Sequence, residues 1–142
     1  MEQQNFKTHK RLIFGFHGFT AISILALIIG SIMNLTNSAD ENFYSASLLT
    51  LISVVLLFIW FYTRSFSLKA QDRAINAEEQ LRAYVLTGKP MNRDLTIRQV
   101  IGLRFAADEE YVALAERAVK EKLSENDIKK AIQNWKPDNY RV

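Results

Sequence analysis

The chain has no cysteine, which excludes disulfide bonds, thiolate chemistry, S-acylation and lipoprotein anchoring, and says nothing of redox compartment. Its two histidines, His9 and His17, sit in no ligand or triad pattern, and the sequence has neither a phosphate-binding glycine loop nor a metal motif. Glu78 and Glu79 are adjacent, so on a helix they point in different directions and make a poor metal pair. No catalytic residue, metal ligand, cofactor or small-molecule substrate is therefore expected, and the chain reads as a non-enzymatic protein. The most informative lack is of charge. No charged side chain occurs from 12 to 39 or from 42 to 63, and the two prolines, Pro90 and Pro137, lie far from both runs. So much uncharged, apolar sequence cannot also serve as a soluble core.

The apolar part of the first run, 12–35, is longer at 1.5 Å per residue than the roughly 30 Å hydrocarbon core of a bilayer, which predicts a transmembrane helix. A cleaved signal peptide is the alternative, since a basic segment precedes the run and Asn37-Ser38-Ala39 offers small residues. Signal-peptide apolar regions run only about 7 to 15 residues, far shorter than this one. A second span is predicted over 44–63. It closes on Trp60-Phe61-Tyr62 and then Arg64, amphipathic rings followed by a cation, which is what the membrane interface favours. Between the spans, 36–43 is a short loop carrying only Asp40 and Glu41, whereas segment 1–11 carries Lys7, Lys10 and Arg11 against Glu2. The formal net charge of +3 thus resolves into a topology signal. By the positive-inside rule the spans form a helical hairpin with its loop outside and both ends cytoplasmic, Lys10, Arg11, Trp60, Tyr62 and Arg64 marking the interface. Arg64, Lys69 and Arg73 are placed to meet anionic lipid headgroups.

Within the first span, Ser23, Ala26 and Gly30 put small side chains on one helix face, where two backbones can approach closely in lipid. That face suits packing on the second span of the same chain, or else on another protein or a second copy. His17 lies barely more than one turn inside the span. Intramembrane ionisable residues are often functional, but a neutral imidazole at this depth also bonds a carbonyl or snorkels to the surface.

Beyond Arg64 the helical pattern continues, predicting a cytoplasmic stalk over 64–87. Ala70, Ala74, Ala77, Leu81 and Tyr84 follow a 4-3-4-3 spacing, with Ile75 and Val85 widening the stripe. This seam suits either the chain's own later helices or a dimer. Gly88 and Pro90 stop the helix. In the module 88–142, a Thr96/Gln99 capping box with a Leu95/Val100 staple opens one short helix. Asp108-Glu109-Glu110 opens a second, running to about Lys122, and Ser124 with a Leu123/Ile128 staple opens a third, with Trp135 on its last turn. Ile97, Val100, Ile101, Tyr111, Val112, Ala115, Val119, Ile128, Ile132 and Trp135 are the predicted core. The helix pair turning at Leu123-Ser124, with Lys129 and Lys130 on its final helix, also invites a helix-turn-helix interpretation. Residues 88–142 hold eleven Lys plus Arg against nine Asp plus Glu, without the marked basic excess of a nucleic-acid surface.

Over its whole length, and most familiarly over residues 69–142, the chain resembles a family of small two-span membrane proteins of Bacteroidota-type bacteria that has no assigned activity. The densest match lies in Leu95-Thr96-Ile97-Arg98-Gln99, Leu103-Arg104-Phe105-Ala106 and Asn134-Trp135-Lys136. The resemblance implies the two-span architecture and a bacterial inner membrane, and lends no functional residues. The expectation is an all-α membrane protein: a transmembrane hairpin, a cytoplasmic stalk, then about three short helices. Its expected role is a scaffold or accessory subunit whose cytoplasmic helices bind a protein partner or a second copy, with membrane lipid as its surroundings. The alternative is a membrane-tethered regulator that binds nucleic acid through 96–136, and transport would need an oligomer, since two helices alone enclose no polar path.

Overall fold

The computed structural model describes residues 4–6, 8 and 12–138, and every element among them is helical. The chain divides into two compact units, 11–66 and a second made of 1–10 with 67–142.

In the first unit, a π-helical stretch Phe14–Thr20 leads into α1, Ala21–Thr36. The hydroxyl of Thr20 donates to the Gly15 carbonyl at 2.9 Å, five residues back, across one π turn. A three-residue turn follows, held by the Asn37 amide on the Met33 carbonyl at 2.7 Å and the Ser38 hydroxyl on the Asn34 carbonyl at 2.6 Å. Then α2 begins at Asp40 and runs to Thr87, passing Arg64 without a break, with Asp40 and Glu41 set favourably against its positive end. Both Phe14–Thr36 and α2 are long and apolar enough to cross a membrane, their most apolar stretches having mean hydropathy 2.0 and 2.1. Contacts between the stretch Phe14–Thr36 and the first part of α2 run in opposite sequence order. Ser31 and Ser53 share a hydroxyl–hydroxyl bond at 3.1 Å, the Thr50 hydroxyl donates to the Ser31 carbonyl at 3.2 Å, and the Trp60 indole N–H donates to the Phe16 carbonyl at 3.2 Å. The Phe16 and Trp60 rings stack at 5.6 Å. Small hydroxyl residues let the backbones approach while satisfying their own polar atoms within the pair.

In the second unit, α3 (Ile97–Leu103), α4 (Asp108–Lys120) and α5 (Glu125–Ala131) pack round Leu103, Phe105, Tyr111, Leu114, Ala118 and Ile128, with Ala83 of α2 joining them. The capping box forms as its sequence predicts: Thr96 Oγ1 accepts from the Gln99 N–H, and Gln99 Oε1 accepts from the Thr96 N–H at 2.9 Å. The Gln99 amide also donates to the carbonyls of Ala118 and Leu123, at 2.9 and 3.1 Å, so one side chain satisfies the start of α3 and the end of α4. Lys122 takes a positive φ of 52° to end α4, and the Leu123 N–H returns to the Ala118 carbonyl at 3.0 Å. Ser124 caps α5, accepting from the Asp127 N–H at 3.2 Å. α3 lies so close to α5 that a Cβ on Gly102 would meet the Glu125 carbonyl oxygen at 3.2 Å.

Two expectations for this module need correction. Ile97 is 42 % exposed, because the first turn of α3 faces solvent, while Leu103, Phe105, Leu114 and Ala118 fill the core instead. Trp135 is not on the last turn of α5, which ends at Ala131. The Glu110 carboxylate draws out the following chain by accepting from the N–H groups of Gln133 and Asn134 at 3.1 and 3.0 Å. The extended segment then bonds beside 105–107, Lys136 N–H to Phe105 carbonyl at 2.8 Å and Ala107 N–H to Asn134 carbonyl at 3.0 Å, and seats the Trp135 ring 5.1 Å from that of Phe105. The N-terminal segment belongs to this unit. The Gln4 side chain brackets Asp138, accepting from its N–H at 2.9 Å and donating to its carbonyl at 3.1 Å.

Candidate interaction surface

The part of α2 beyond residue 66 has two contrasting faces. Ile75, Glu79 and Ala83 are buried on the inner one, at the four-residue spacing that aligns side chains along a helix. Arg82 locks this face in place. Its guanidinium donates to Glu79 Oε2 at 3.2 Å, to Asp108 Oδ1 at 2.7 Å and to the Ala106 carbonyl at 2.6 Å, and lies 4.4 Å over the Tyr111 ring. Burial raises the pKa of the Glu79 carboxyl in spite of the opposing Arg82 charge. Burial, reinforced by the Glu79 charge, pushes the Tyr111 phenol up to about 12. The Arg82 bond and charge hold exposed Asp108 below its ordinary range.

This anchorage turns Ala70, Ala74, Ala77, Leu81 and Tyr84 outward, and all five are exposed. Leu81 is 65 % and Val85 74 % exposed, large apolar surfaces on the same side. The predicted seam therefore does not pack on the chain's own later helices, and Ile75, read from the sequence as widening it, faces the core. A polar trio explains the difference: satisfying Glu79, Arg82 and Asp108 together fixes the rotation of the helix, and that rotation leaves the more apolar stripe outside. Grooves flank the outer face. One of about 610 Å³ is lined by Asn76, Gln80, Leu81, Tyr84 and residues of the 90–95 loop. The other, about 570 Å³, is lined by Ala74, Glu78, Arg104 and Asp138 among others. Arg104 is held there by Asp138, with Nη1 to Oδ2 at 3.2 Å, and by the Phe105 ring 4.5 Å beneath it. Its burial lowers the guanidinium pKa.

The remaining residues singled out from the sequence are dispersed. Ser23 is half-buried, whereas Ala26 and Gly30 are exposed in an open groove edged by Leu49, Ile52 and Leu56, with no atom within 4 Å of a Cβ placed on Gly30. Hydrogen bonds to the second apolar helix run through Ser31, with Thr50 and Ser53, and Ile24 is the one buried residue of α1. Trp60 is half-buried against Phe16, Tyr62 stacks on Phe66 at 5.5 Å, and Arg64 is half-buried. Lys10 and Arg11 lie outside the described residues. The His17 ring sits 3.1 Å from the Ile13 carbonyl, a local backbone bond. Lys129 points inward, 2.6 Å from Glu125 Oε1 and 5.5 Å from the centre of the Phe105 ring, and Lys130 lies 5.8 Å from the Phe6 ring. Among the described residues no group of three His, Asp or Glu side chains is placed to hold a metal. Sequence reasoning missed Arg82 as an organising residue, although its position three residues after Glu79 on a helix was a usable signal.

Comparison with curated proteins finds no match, and comparison with solved structures finds none either. A family model does match, over residues 1–142. The chain belongs to that family, DUF6526, a family of unknown function.

Proposed function

We propose that this chain is a non-enzymatic integral membrane protein of the bacterial inner membrane, a scaffold or accessory subunit that docks a protein on its cytoplasmic stalk. The observation that carries this reading is the exposed apolar face Ala70, Ala74, Ala77, Leu81 and Tyr84, on the same helix that holds an apolar span. Water penalises such a face, and a protein surface of matching shape relieves that penalty. The hairpin topology draws on a second observation. Gln4 bonds to Asp138 within one compact unit, and an even number of crossings is consistent with that pairing of the N-terminal segment with the helical module. The basic residues of segment 1–11 and Arg64 favour the cytoplasm for that side, by the positive-inside rule. The helix-turn-helix alternative is weakened by Lys129, which bonds Glu125 rather than facing outward.

Native purification of the full chain after crosslinking in intact membranes, followed by mass spectrometry, tests the reading. Reproducible crosslinks from Lys69, which adjoins the seam, to a protein in the membrane fraction are the expected result. A monodisperse monomer with no reproducible partner overturns it. For the topology, Asn37→Cys is expected to react with an impermeant maleimide added outside, and labelling only after the membrane is permeabilised overturns the hairpin.

A further inference from the structure

We propose that the outer face of the stalk is a parallel, in-register seam for a second copy of this chain, with Arg73 of one copy paired to Glu78 of the other. The inference rests on the membrane reading, because two copies inserted with the same topology must present their stalks side by side and pointing the same way.

The seam has the order of a heptad, with Ala74 and Leu81 at a and Ala70, Ala77 and Tyr84 at d. In that frame Ile75, Glu79, Arg82 and Ala83 occupy b, f, b and c, and these are the residues the chain's own module takes. Intramolecular packing thus uses the outer positions of the heptad and leaves a and d exposed. The flanking charges point to the occupant. Arg73 falls at g and Glu78 at the following e, the two positions that face each other across a parallel two-stranded pair. Both are exposed, and neither has an ion pair among the described residues. A two-fold axis along the seam brings each Arg73 to the partner's Glu78 twice over, so the surface is complementary to itself. An antiparallel pair sets g beside g and e beside e, matching neither charge with its opposite. Alanine at three of the five positions allows close approach, and Leu81 and Tyr84 supply the larger apolar contact. Two heptads are marginal as a free coiled coil, and membrane anchoring offsets this by raising the effective concentration of the second strand.

The test uses single-cysteine variants of the full chain in native membranes, which the absence of cysteine makes clean. Ala74→Cys, Ala77→Cys and Leu81→Cys are oxidised with copper phenanthroline beside Lys69→Cys and Leu86→Cys, which stand at c and f. Disulfide-linked dimers are expected at all three seam positions, on the order of tenfold faster than at the two controls. Arg73→Glu is expected to slow crosslinking of Ala77→Cys, and adding Glu78→Arg to restore it. Crosslinking at position 77 alone signals an antiparallel pair and overturns the proposal, as do equal rates at all five positions or none at any. The same membranes are washed with alkaline carbonate. Loss of the protein in that wash overturns the membrane reading and the parallel seam with it, whereas retention without seam-specific crosslinks overturns the seam alone.

Discussion

In residues 12–66, Leu25, Leu51, Ile52, Phe58 and Phe61 are more than half exposed and only Ile24, Ala46 and Ser53 are buried, whereas in 67–138 Leu103, Phe105 and Ile128 have no exposure at all. The two regions spend apolar side chains in opposite directions. Each exposed apolar Å² costs roughly 25 cal/mol in water, so the first arrangement suits apolar surroundings and the second suits water. Polar groups differ as well. Between Phe14–Thr36 and α2 they are hydroxyls and an indole bonded across the pair, while the helical module relies on a charged hub, Arg82, and on capping side chains. Hydropathy alone therefore separates the regions, but the polar bonds decide which face of each helix turns inward.

The sharpest way to break this contrast is to remove the hub. Arg82→Met leaves the Glu79 carboxylate buried without its cation, at an expected cost of about 3–5 kcal/mol to the module. The cost depends on pH. Because the folded pKa of Glu79 is raised above the ordinary 4.5, the stability linked to it is fully present below that value and is lost as pH rises through the folded pKa. Without Arg82 the raise grows, so the penalty is expected to shrink as pH falls from 7 toward 4.5. Asp108 works the other way. Its lowered pKa stabilises above the ordinary 3.8 and is lost on acidification, but its exposure keeps that contribution small. Hydrogen exchange of α4 amides against pH checks the outcome, and a penalty constant from pH 7 to 4.5 refutes the account of Glu79. Exchange in α1 is expected not to change.

Next comes a matched pair of truncations. Leu103→Ala opens a cavity in a fully buried site and is expected to cost about 2–5 kcal/mol, measured by denaturant unfolding of the detergent-solubilised chain. Leu25→Ala, at a site 58 % exposed, is expected to change stability by no more than about 0.5 kcal/mol. Equal losses at the two sites abolish the contrast between the regions.

Much of this fold was legible in the sequence, and three of the features that were not share one cause. Thr96 with Gln99 forms the expected capping box and Ser124 the expected cap, its partner being the Asp127 N–H, because a cap is a local bond between residues three apart. The helix running past Arg64 follows from an unbroken run of good helix formers. Rotation about the helix axis was harder to read. Ala70 to Tyr84 made the more regular apolar stripe, yet the inner face was chosen by Arg82 reaching Asp108, twenty-six residues away. On α1 the hydrogen bonds to the second apolar helix come from Ser31, outside the stripe of Ser23, Ala26 and Gly30, and its partners lie nineteen and twenty-two residues on. Trp135 left its helix because Glu110, more than twenty residues earlier, took the backbone N–H groups of Gln133 and Asn134. Each of these three turns on a long-range polar bond that apolar periodicity does not register.

Two glycines offer a subtler comparison. Gly102→Ala places a methyl 3.2 Å from both the Glu125 carbonyl oxygen and Ile128 Cγ2, and since a backbone atom gives way reluctantly, about 1–3 kcal/mol of destabilisation is expected. Gly30→Ala meets nothing within 4 Å and removes a flexible residue from a helix, so stability is expected to hold or to rise by about 0.5–1 kcal/mol. Thermal unfolding of the two variants side by side decides, and a destabilised Gly30→Ala would refute the reading of the groove beside it as open.

The smallest expected effect tests the caps. Thr96 Oγ1 accepts the Gln99 N–H at 3.3 Å, while the start of the π-helical stretch at Ile13 has no side-chain cap. Thr96→Ala is expected to cost about 1 kcal/mol and Thr96→Ser only a few tenths, since serine keeps the accepting oxygen. The loss is expected to extend beyond α3, because the Gln99 side chain that Thr96 helps to position also bonds the last carbonyls of α4. Hydrogen exchange separates the two possibilities. If only the first turn of α3 opens faster in Thr96→Ala, the cap is local. Faster exchange at Leu123 as well, whose N–H closes the end of α4, means that one capping residue couples two helices. That coupling would make the module depend on short polar bonds in a way that the apolar pair of helices does not.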